Sequence, residues 1–327
     1  MELKVDAHLW CLGTYAERYV PGGYFDDMSL ERKLDIISKI EGLTGLVIFY
    51  PTDPLPSDPD KLTKLLANYG LKPSVMEPEV WSDRKWRDGA FSTTDPKIRK
   101  EAIKMLKESI DLGKALKTDS VLLWPAHDGF DYPFQSDYRD AWKNLVETVR
   151  EIGEYDRTVK IAIEAKPKDP RQKQLIRDSG KALAFLNDVG LDNVGCALDV
   201  GHALMAGESL AESLMLLDLH KKLIQIHLND NYKDADPDMV LGTVNFWEIL
   251  EFFYFLNKTD YSSWSTIDII ASRDDRGKTL ELAVKMTWKL KELADRLSKS
   301  SKEIDANLAT YGFAKNMDLI MDLLFKY

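Results

Sequence analysis

The chain has 327 residues, of which 44% are hydrophobic and 30% are charged, so it is long enough to bury a large core. Its formal net charge of −10 argues against a nucleic-acid-binding groove, which requires a basic face. No run of about 18 apolar residues is present, which argues against a membrane span. The first six residues lack a secretory-signal layout, and the two cysteines, Cys11 and Cys196, lie in strand-like apolar runs. We therefore expect a cytoplasmic protein with reduced thiols.

Short β-branched runs alternate with longer amphipathic stretches along the chain. The runs end near Leu9-Trp10, Ile48-Phe49, Met76-Glu77, Leu123-Trp124, Ile163-Glu164, Leu198-Asp199, Leu228-Asn229 and Asp268-Ile270. The helix after the third run has a clear start at Asp95-Pro96, where a capping aspartate is followed by proline in the first turn. Eight such units predict an α/β fold, a (β/α)8 TIM barrel.

Two further helical patterns, Lys302–Thr310 and Asn316–Phe325, follow a break at Ser298–Ser301. We divide the chain into a catalytic barrel domain, 1–295, and a C-terminal helical extension, 296–327. The apolar side chains of the extension favour packing on its own barrel. Packing on a neighbouring subunit, in a homodimer or homotetramer, is the alternative.

Polar residues cluster at the ends of the last four strand-like runs, where the chemistry of such barrels lies. They are Glu164, Lys166, Asp199, His202, His227, Asn229, Asp236, Asp238 and Asp268. Several of the carboxylates stand among apolar residues, where an unpaired charge would cost several kcal/mol or more. Carboxylates and imidazoles that converge on one barrel mouth would repel unless cations lay among them. Oxygen donors with a few imidazoles favour Mg²⁺, Mn²⁺ or Co²⁺ over a thiolate-type zinc site.

Each of these residues alone has a plainer interpretation. Asp268 could cap a strand, His227 could be a core histidine, and Asp236 and Asp238 could belong to a solvated loop. His8 alternates with apolar residues in the first run and could face a substrate or pack in the core. The joint placement at successive strand ends is what favours a functional site.

Five segments resemble motifs of the xylose isomerase family, over roughly residues 5–290. In chain order, the segments resemble the stretch before the third helix of the family, its strand-four motif, its Glu-Pro-Lys-Pro signature, its strand-six metal motif and the motif of its second metal site. These segments are Asp88–Pro96, Leu123–Tyr132, Ile163–Arg171, Asp199 with Gly201-His202, and Asp236–Gly242.

The resemblance implies two divalent cations, Mn²⁺, Co²⁺ or Mg²⁺ with Zn²⁺ as an alternative, and a small-molecule sugar substrate. The first ion would be held by Glu164, Asp199, His227 and Asp268. The second would be held by Asp199 as a bridge, with His202, Asp236 and Asp238. Lys166 would contact the carbonyl oxygen of the substrate, and Trp124 would line the substrate pocket. We expect His8, Trp10 and Asn229 to complete the substrate contacts.

The chain departs from the family pattern in two places. His227 stands where xylose isomerases carry an aspartate, and a histidine there is similar to L-rhamnose isomerase and to ketose 3-epimerases. The histidine expected to open the sugar ring after the second strand is missing, because the chain reads Ile48-Phe49-Tyr50-Pro51. The ring-opening group is therefore unassigned.

These residues favour an aldose–ketose isomerase that acts by a metal-assisted 1,2-hydride shift. The alternative is a one-metal ketose 3-epimerase, which uses two glutamates as a proton-abstracting pair. The chain has Asp268 where the second glutamate should stand, and it carries the Asp236-x-Asp238 pair. A zinc-dependent apurinic-site endonuclease is disfavoured by the lack of histidines between His8 and His127. A catalytically inactive binding protein is disfavoured by the complete ligand set.

Overall fold

The computed structural model describes residues 3–16, 20–169 and 172–325, and within them eight parallel strands close into a barrel. Pro170 and Arg171, the end of the Glu164 motif, and Met1 and Glu2 lie outside the described residues. Each strand pairs with its neighbours in chain order, and the last pairs with the first. The strands are β1 (Lys4–Ala7), β2 (Gly45–Tyr50), β3 (Lys72–Pro78), β4 (Ser120–Leu123), β5 (Ile161–Glu164), β6 (Val194–Asp199), β7 (Leu223–Leu228) and β8 (Trp264–Ile267).

Helices follow the strands and cover the outside of the barrel, which confirms the predicted (β/α)8 fold. Their ranges are α1 (Leu30–Ile37), α2 (Pro59–Asn68), α3 (Pro96–Leu116), α4 (Tyr138–Tyr155), α5 (Ser179–Val189), α6 (Val200–Ala206), α7 (Leu210–Leu219), α8 (Phe246–Leu256), α9 (Arg276–Ser298), α10 (Ser301–Leu308) and α11 (Phe313–Phe325). The predicted start of α3 is confirmed, because the Asp95 side chain accepts a hydrogen bond from the Lys97 backbone N–H at 2.8 Å. None of the described helices has the length and apolarity that a membrane span requires.

Two strand ends differ from the predictions. β1 ends at Ala7, and the chain then turns through a short 3-10 helix, Leu9–Leu12, so the prediction that Cys11 lies in a strand was wrong. β8 ends at Ile267 and not at Asp268–Ile270. The backbone N–H of Ile270 donates to the carbonyl oxygen of Asp238 at 2.9 Å. After β8 the backbone therefore pairs with the loop that follows β7 and no longer with a barrel strand.

The C-terminal helices pack on the barrel of the same chain. Ile304 of α10 is buried in the main core, and the Tyr254 hydroxyl of α8 donates to Asp305 Oδ1 at 2.8 Å. The predicted division between residues 295 and 296 falls inside α9, whose last residue is Ser298. Phe313 and Met321 remain exposed on the outer face of α11.

Candidate active site

The side chain that faces inward at the end of each strand contributes to a ring at the C-terminal mouth of the barrel. Side chains alternate across a strand, so residues two positions apart share a face. The interior layer beneath the mouth includes Val47, Val75, Leu122, Ala162 and Ala197. On the other strands, Gln225 Nε2 donates to Thr266 Oγ1 across the interior at 3.1 Å, and Asp6 is fully buried. Two positions beyond this layer stand His8, Phe49, Glu77, Trp124, Glu164, Asp199, His227 and Asp268.

Above the ring lies a cavity of about 450 Å³ with two chemically different halves. The half that follows β1 to β4 is mainly aromatic. The Phe49 and Trp81 rings meet edge to face with centroids 5.8 Å apart, and Trp81 meets Trp124 in the same way at 5.0 Å. The half that follows β5 to β8 carries carboxylates, imidazoles and Lys166, whose Nζ lies 5.1 Å from the centre of the Trp124 ring.

The structure brings most of the predicted site residues to this cavity. Those that line it are His8, Trp10, Trp124, Glu164, Lys166, His202, His227, Asp236, Asp238 and Asp268. Asp199 is buried behind them and contributes to the carboxylate cluster. Asn229 is the exception and is considered below.

Four side chains offer ligand-type atoms that all lie within 4.8 Å of one another, and they are Glu164, Asp199, His227 and Asp268. His227 Nδ1 lies 3.4 Å from Glu164 Oε1, 3.6 Å from Asp268 Oδ2 and 3.7 Å from Asp199 Oδ2. Ligand atoms that bind one ion at about 2.0–2.2 Å stand at such separations from each other. Among the described residues this is the one group that meets the spacing.

The donor set of this cluster fits a divalent cation. Neither ring nitrogen of His227 makes a well-oriented hydrogen bond, and Asp268 Oδ1 has no hydrogen-bond partner, although all three atoms are buried. Unsatisfied buried polar atoms are rare, and an ion is one of the explanations for them. Three carboxylates and one imidazole are donors that Mg²⁺, Mn²⁺ and Co²⁺ accept.

The charges of the cluster perturb one another strongly. Burial opposes the charged form of His227, but Glu164, Asp268 and Asp199 raise the pKa of His227 to about 10. Burial would raise the pKa of Glu164, yet His227 and His202 hold it well below its usual value. Burial, together with Asp199 and Glu164, raises the pKa of Asp268 to about 7. Without a cation, the carboxylates of the cluster would be balanced by protons.

A second group of charged residues stands beside the first. His202 Nδ1 lies 3.1 Å from the Ala165 carbonyl oxygen, and His202 Nε2 lies 3.0 Å from Asp236 Oδ2. Lys166 Nζ lies 2.8 Å from the same oxygen and 2.8 Å from Asp169 Oδ2. Burial and the neighbouring carboxylates of Asp236 and Asp268 raise the pKa of Asp238 well above its usual value.

Two features of the second group suit a cation. When one ring N–H of an imidazole donates a hydrogen bond to a backbone carbonyl, the other ring nitrogen carries a free lone pair. Metal-binding histidines commonly have this arrangement. That lone pair of His202 would face the Asp236 carboxylate, an arrangement that requires a proton or a cation between them. In the absence of a cation, burial opposes protonation, but Asp199 and Asp236 raise the pKa of His202 well above its usual value.

The structure gives Asn229 a different position from the predicted substrate contact. Its side chain is fully buried, donates to Asp199 Oδ2 at 3.0 Å, and accepts from the Gly201 backbone N–H at 2.6 Å. Because both ends of the amide are used within the protein, Asn229 fixes the orientation of the Asp199 carboxylate. Gly201 is required here, since a Cβ at this residue would lie 2.4 Å from Asn229 Oδ1.

Glu77 also lines the cavity, although the sequence patterns did not predict it as a site residue. It is the ring member of β3, its Oε2 has no hydrogen-bond partner, and burial with the nearby Glu164 carboxylate raises its pKa well above the usual value. Glu77 therefore gives the cavity a second glutamate besides Glu164, although it was not among the predicted site residues. The signal in the sequence was its place two residues beyond the apolar Val75.

Known proteins resemble this chain over most of its length. The family model described as xylose isomerase-like TIM barrel matches residues 35–290. The xylose isomerase of Thermus thermophilus is 27% identical over 191 residues, which cover 57% of this chain. The match spans about half, 49%, of that relative's own length.

Solved structures share the fold at lower identity. L-ribulose 3-epimerase superposes with a TM-score of 0.73 at 17% identity, covering 92% of this chain and 98% of its own. A D-tagatose 3-epimerase-like protein gives a TM-score of 0.67 at 19% identity, covering 91% and 99%. The IolI protein with a bound zinc atom gives 0.64 at 21% identity, covering 88% and 96%. The family match covers most of the chain, and the chain belongs to the xylose isomerase-like TIM barrel family.

Proposed function

We propose that this protein is a divalent-metal-dependent aldose–ketose sugar isomerase that acts by a 1,2-hydride shift. The observation that carries the proposal is the cluster of Glu164, Asp199, His227 and Asp268 at an aromatic-walled cavity. A volume of about 450 Å³ suits a single small sugar. The similarity to the xylose isomerase of Thermus thermophilus supports this reaction class.

The two halves of the cavity match the two kinds of surface on a sugar. The rings of Phe49, Trp81 and Trp124 offer apolar faces to its C–H groups. The opposite half offers charged groups to its hydroxyl and carbonyl oxygens. This division would orient the substrate with its reacting oxygens toward the carboxylate cluster.

The donor set supports two cations, which we infer to be Mn²⁺, Co²⁺ or Mg²⁺, with Zn²⁺ as an alternative. The first would be held by the cluster just named. The second would be held by the same Asp199 with His202, Asp236 and Asp238. When bound, such ions polarise the carbonyl and hydroxyl oxygens of a substrate.

Lys166 supplies a fixed positive charge at the cavity wall. Burial opposes that charge, but Asp236 and Asp169 raise the pKa of Lys166 well above its usual value, so it stays protonated. A preorganised ammonium stabilises negative charge that develops on a substrate oxygen. We therefore assign Lys166 to the carbonyl oxygen during the hydride shift.

A ketose 3-epimerase is the second candidate, and Glu77 is the observation that favours it. A proton-abstracting mechanism needs two carboxyl groups at one cavity, and both Glu77 and Glu164 line this one. The Lys166–Asp236–His202 group favours the isomerase, because these side chains supply the charged environment for a second ion.

The test begins with metal-stripped protein and a panel of pentoses, hexoses and 6-deoxyhexoses, assayed with and without Mn²⁺. We expect an aldose–ketose conversion that depends on the metal, and calorimetric titration that gives two sites per chain. A single site together with inversion at C3 would replace the isomerase by the epimerase. No conversion of any sugar with Mn²⁺, Co²⁺ or Mg²⁺ would refute both.

Solvent deuterium separates the two routes of hydrogen transfer. A hydride shift keeps the transferred hydrogen on the substrate, so product made in D2O should contain negligible deuterium at C1 or C2 by mass spectrometry. Proton abstraction passes the hydrogen through a carboxyl group that exchanges with solvent. Near-stoichiometric deuterium at the receiving carbon would therefore contradict the hydride route.

A further inference from the structure

Two side chains in the aromatic half of the cavity, His8 and Glu77, carry buried polar atoms without hydrogen-bond partners. His8 is 2% exposed and Glu77 is 4% exposed. His8 Nδ1 lies 3.7 Å from Glu77 Oε2, which is too long for a hydrogen bond, and neither ring nitrogen of His8 nor this oxygen bonds to any other group. A buried polar atom without a hydrogen bond opposes folding, so the placement of these two side chains does not serve stability.

The barrel holds these two side chains in a fixed relation. His8 follows β1 and Glu77 belongs to β3, and both line the cavity together with Glu164 and Lys166. Phe49 of β2 stands between their strands: its ring centroid lies 4.8 Å from that of His8, and its backbone is the register partner of Glu77. The pair therefore faces the space in which we propose that the sugar binds.

The other unpartnered side-chain atoms of the cavity belong to the proposed metal-binding residues His227, Asp236 and Asp268, or to Trp124, whose indole N–H carries no lone pair. The remaining charged side chains are paired within the protein. Lys166 contacts Asp169 and Asp236, and His202 contacts the Ala165 carbonyl oxygen and Asp236. A proton carrier must have a lone pair or an O–H that is free to meet the substrate. His8 and Glu77 meet this requirement.

We propose that His8 and Glu77 form the proton-transfer pair that opens the ring of a cyclic sugar before its carbonyl is moved, an inference that rests on the proposed function. Pentoses and hexoses in water are mostly cyclic hemiacetals, which have no free carbonyl group. A step that frees the carbonyl must therefore precede isomerisation.

The proposed step balances without any oxidant or reductant. The anomeric O–H gives its proton to the free ring nitrogen of His8, and its electron pair forms the second bond of the C1 carbonyl. The bond between C1 and the ring oxygen breaks, and the ring oxygen keeps that electron pair and takes a proton from the Glu77 carboxyl group. Proton transfer from His8 to Glu77, directly or through the product hydroxyls, restores the pair.

The first experiment measures ring opening alone, by polarimetry of freshly dissolved α-anomers of pentoses and hexoses, beginning with D-xylose, in EDTA. The wild-type protein should accelerate mutarotation. Glu77→Gln and His8→Asn should each lower this acceleration by about 100-fold or more, the usual loss for a general acid or base. Glu79→Gln is the matched control, because Glu79 binds the Thr52 hydroxyl and the Ser82 N–H outside the cavity. Wild-type protein that accelerates no anomer, or variants as fast as wild type, would overturn the inference.

The second experiment compares a cyclic with an open-chain substrate in Mg²⁺. Erythrulose, a four-carbon ketose, is open in water and needs no ring opening. The two variants should lower turnover of a pentose by about 100-fold but change turnover of erythrulose by less than about threefold. Equal losses on both substrates would show that Glu77 acts at carbon and would overturn the inference.

The outcomes separate this inference from the proposed function. Protein that opens rings but never isomerises contradicts only the proposed function. Protein that isomerises, with variants that lose nothing in ring opening, contradicts only the pair. Circular dichroism melts check that each variant is folded, and we expect melting temperatures at or above wild type because the amides remove unsatisfied ionisable groups.

Discussion

Replacement of Asp268 by asparagine should stabilise the metal-free protein, although Asp268 belongs to the proposed metal site. Burial and the carboxylates of Asp199 and Glu164 raise the pKa of Asp268 from 3.8 to about 7. A carboxyl group whose pKa is higher in the folded protein than in the unfolded chain destabilises the fold as it ionises. Asparagine has nearly the same shape and does not ionise.

The magnitude follows from the two pKa values. Each pH unit between them costs about 1.4 kcal/mol, so the cost is roughly 1 to 2 kcal/mol at pH 5 and reaches about 4 kcal/mol above pH 7. An unfolding entropy of about 2.1 cal/mol/K per residue gives about 0.7 kcal/mol/K for this chain. We therefore expect the Asp268→Asn variant to melt about 2 °C higher than wild type at pH 5 and about 6 °C higher at pH 8.

The assay is thermal unfolding followed by circular dichroism in EDTA, at several values between pH 5 and pH 9. The exposed Asp274 provides the control, and Asp274→Asn should leave the melting temperature unchanged. Addition of Mn²⁺ at about 100 times its dissociation constant should stabilise wild type by about 2.7 kcal/mol. Mn²⁺ should stabilise the Asp268→Asn variant less than wild type, because the variant has lost an anionic metal ligand. The difference in melting temperature between the two proteins should therefore become smaller when Mn²⁺ is added.

Two results would refute this reasoning. The variant could melt at or below the wild-type temperature in EDTA at pH 8, which would mean that Asp268 is already compensated in the metal-free protein. Alternatively, the difference could stay constant between pH 5 and pH 8, and the raised pKa of Asp268 would then be incorrect.

Three further predictions concern the supports of the site and of the fold. Gly201→Ala should displace Asn229 from Asp199 and weaken calorimetric metal affinity by about 10-fold or more, as loss of a ligand's supporting contact does. Asp95→Ala removes the cap of α3 and should cost about 1 kcal/mol in urea unfolding. Lys166→Met leaves Asp236 without its ammonium partner and should destabilise the metal-free protein by about 3 kcal/mol, and turnover should fall by about 100-fold.

Two of these predictions, Gly201→Ala and Lys166→Met, have a matched comparison. Gly180→Ala introduces a methyl group whose nearest neighbour lies at 3.5 Å, so it should leave metal affinity unchanged. Adding Asp236→Asn to Lys166→Met should restore most of the lost stability, because the carboxylate that has lost its ammonium partner is removed. Unchanged affinity in Gly201→Ala would mean that Asn229 does not orient Asp199. An equally unstable double variant would show that packing of the lysine stem causes the loss.

The sequence predicted the part of the site in which a charged or polar residue ends an otherwise apolar strand. Glu164, Asp199 and His227 each end or nearly end an apolar run, so their convergence at one mouth follows from the barrel closure. Asp199 and His227 are in fact register partners on neighbouring strands. The α3 start was equally predictable, because its cap is formed within three residues of sequence.

The sequence could not assign the direction of the Asn229 side chain or the turn after β1. Asn229 follows β7 and lies two residues after the cavity-lining His227, but its amide accepts a hydrogen bond from Gly201 of the preceding unit and therefore points away from the cavity. The chain after Ala7 reads as strand by composition, yet the Gly13 N–H closes a turn onto the Trp10 carbonyl oxygen. The first outcome depends on a contact between two units of the barrel, and the second depends on a local turn that the apolar composition of the segment does not reveal.

The carboxylates of the cavity explain why metal and proton occupancy are linked at this site. Lys166 compensates Asp236, whereas burial and mutual repulsion raise the pKa of Glu77, Asp238 and Asp268, so in the absence of a cation these groups keep their protons to a higher pH than ordinary carboxyl groups do. A cation at the cluster would displace such protons, since ligands bind metal in their deprotonated form. Metal affinity should therefore fall as the pH falls, and the cations that we propose to activate substrate oxygens would also set the protonation of the carboxylates around them.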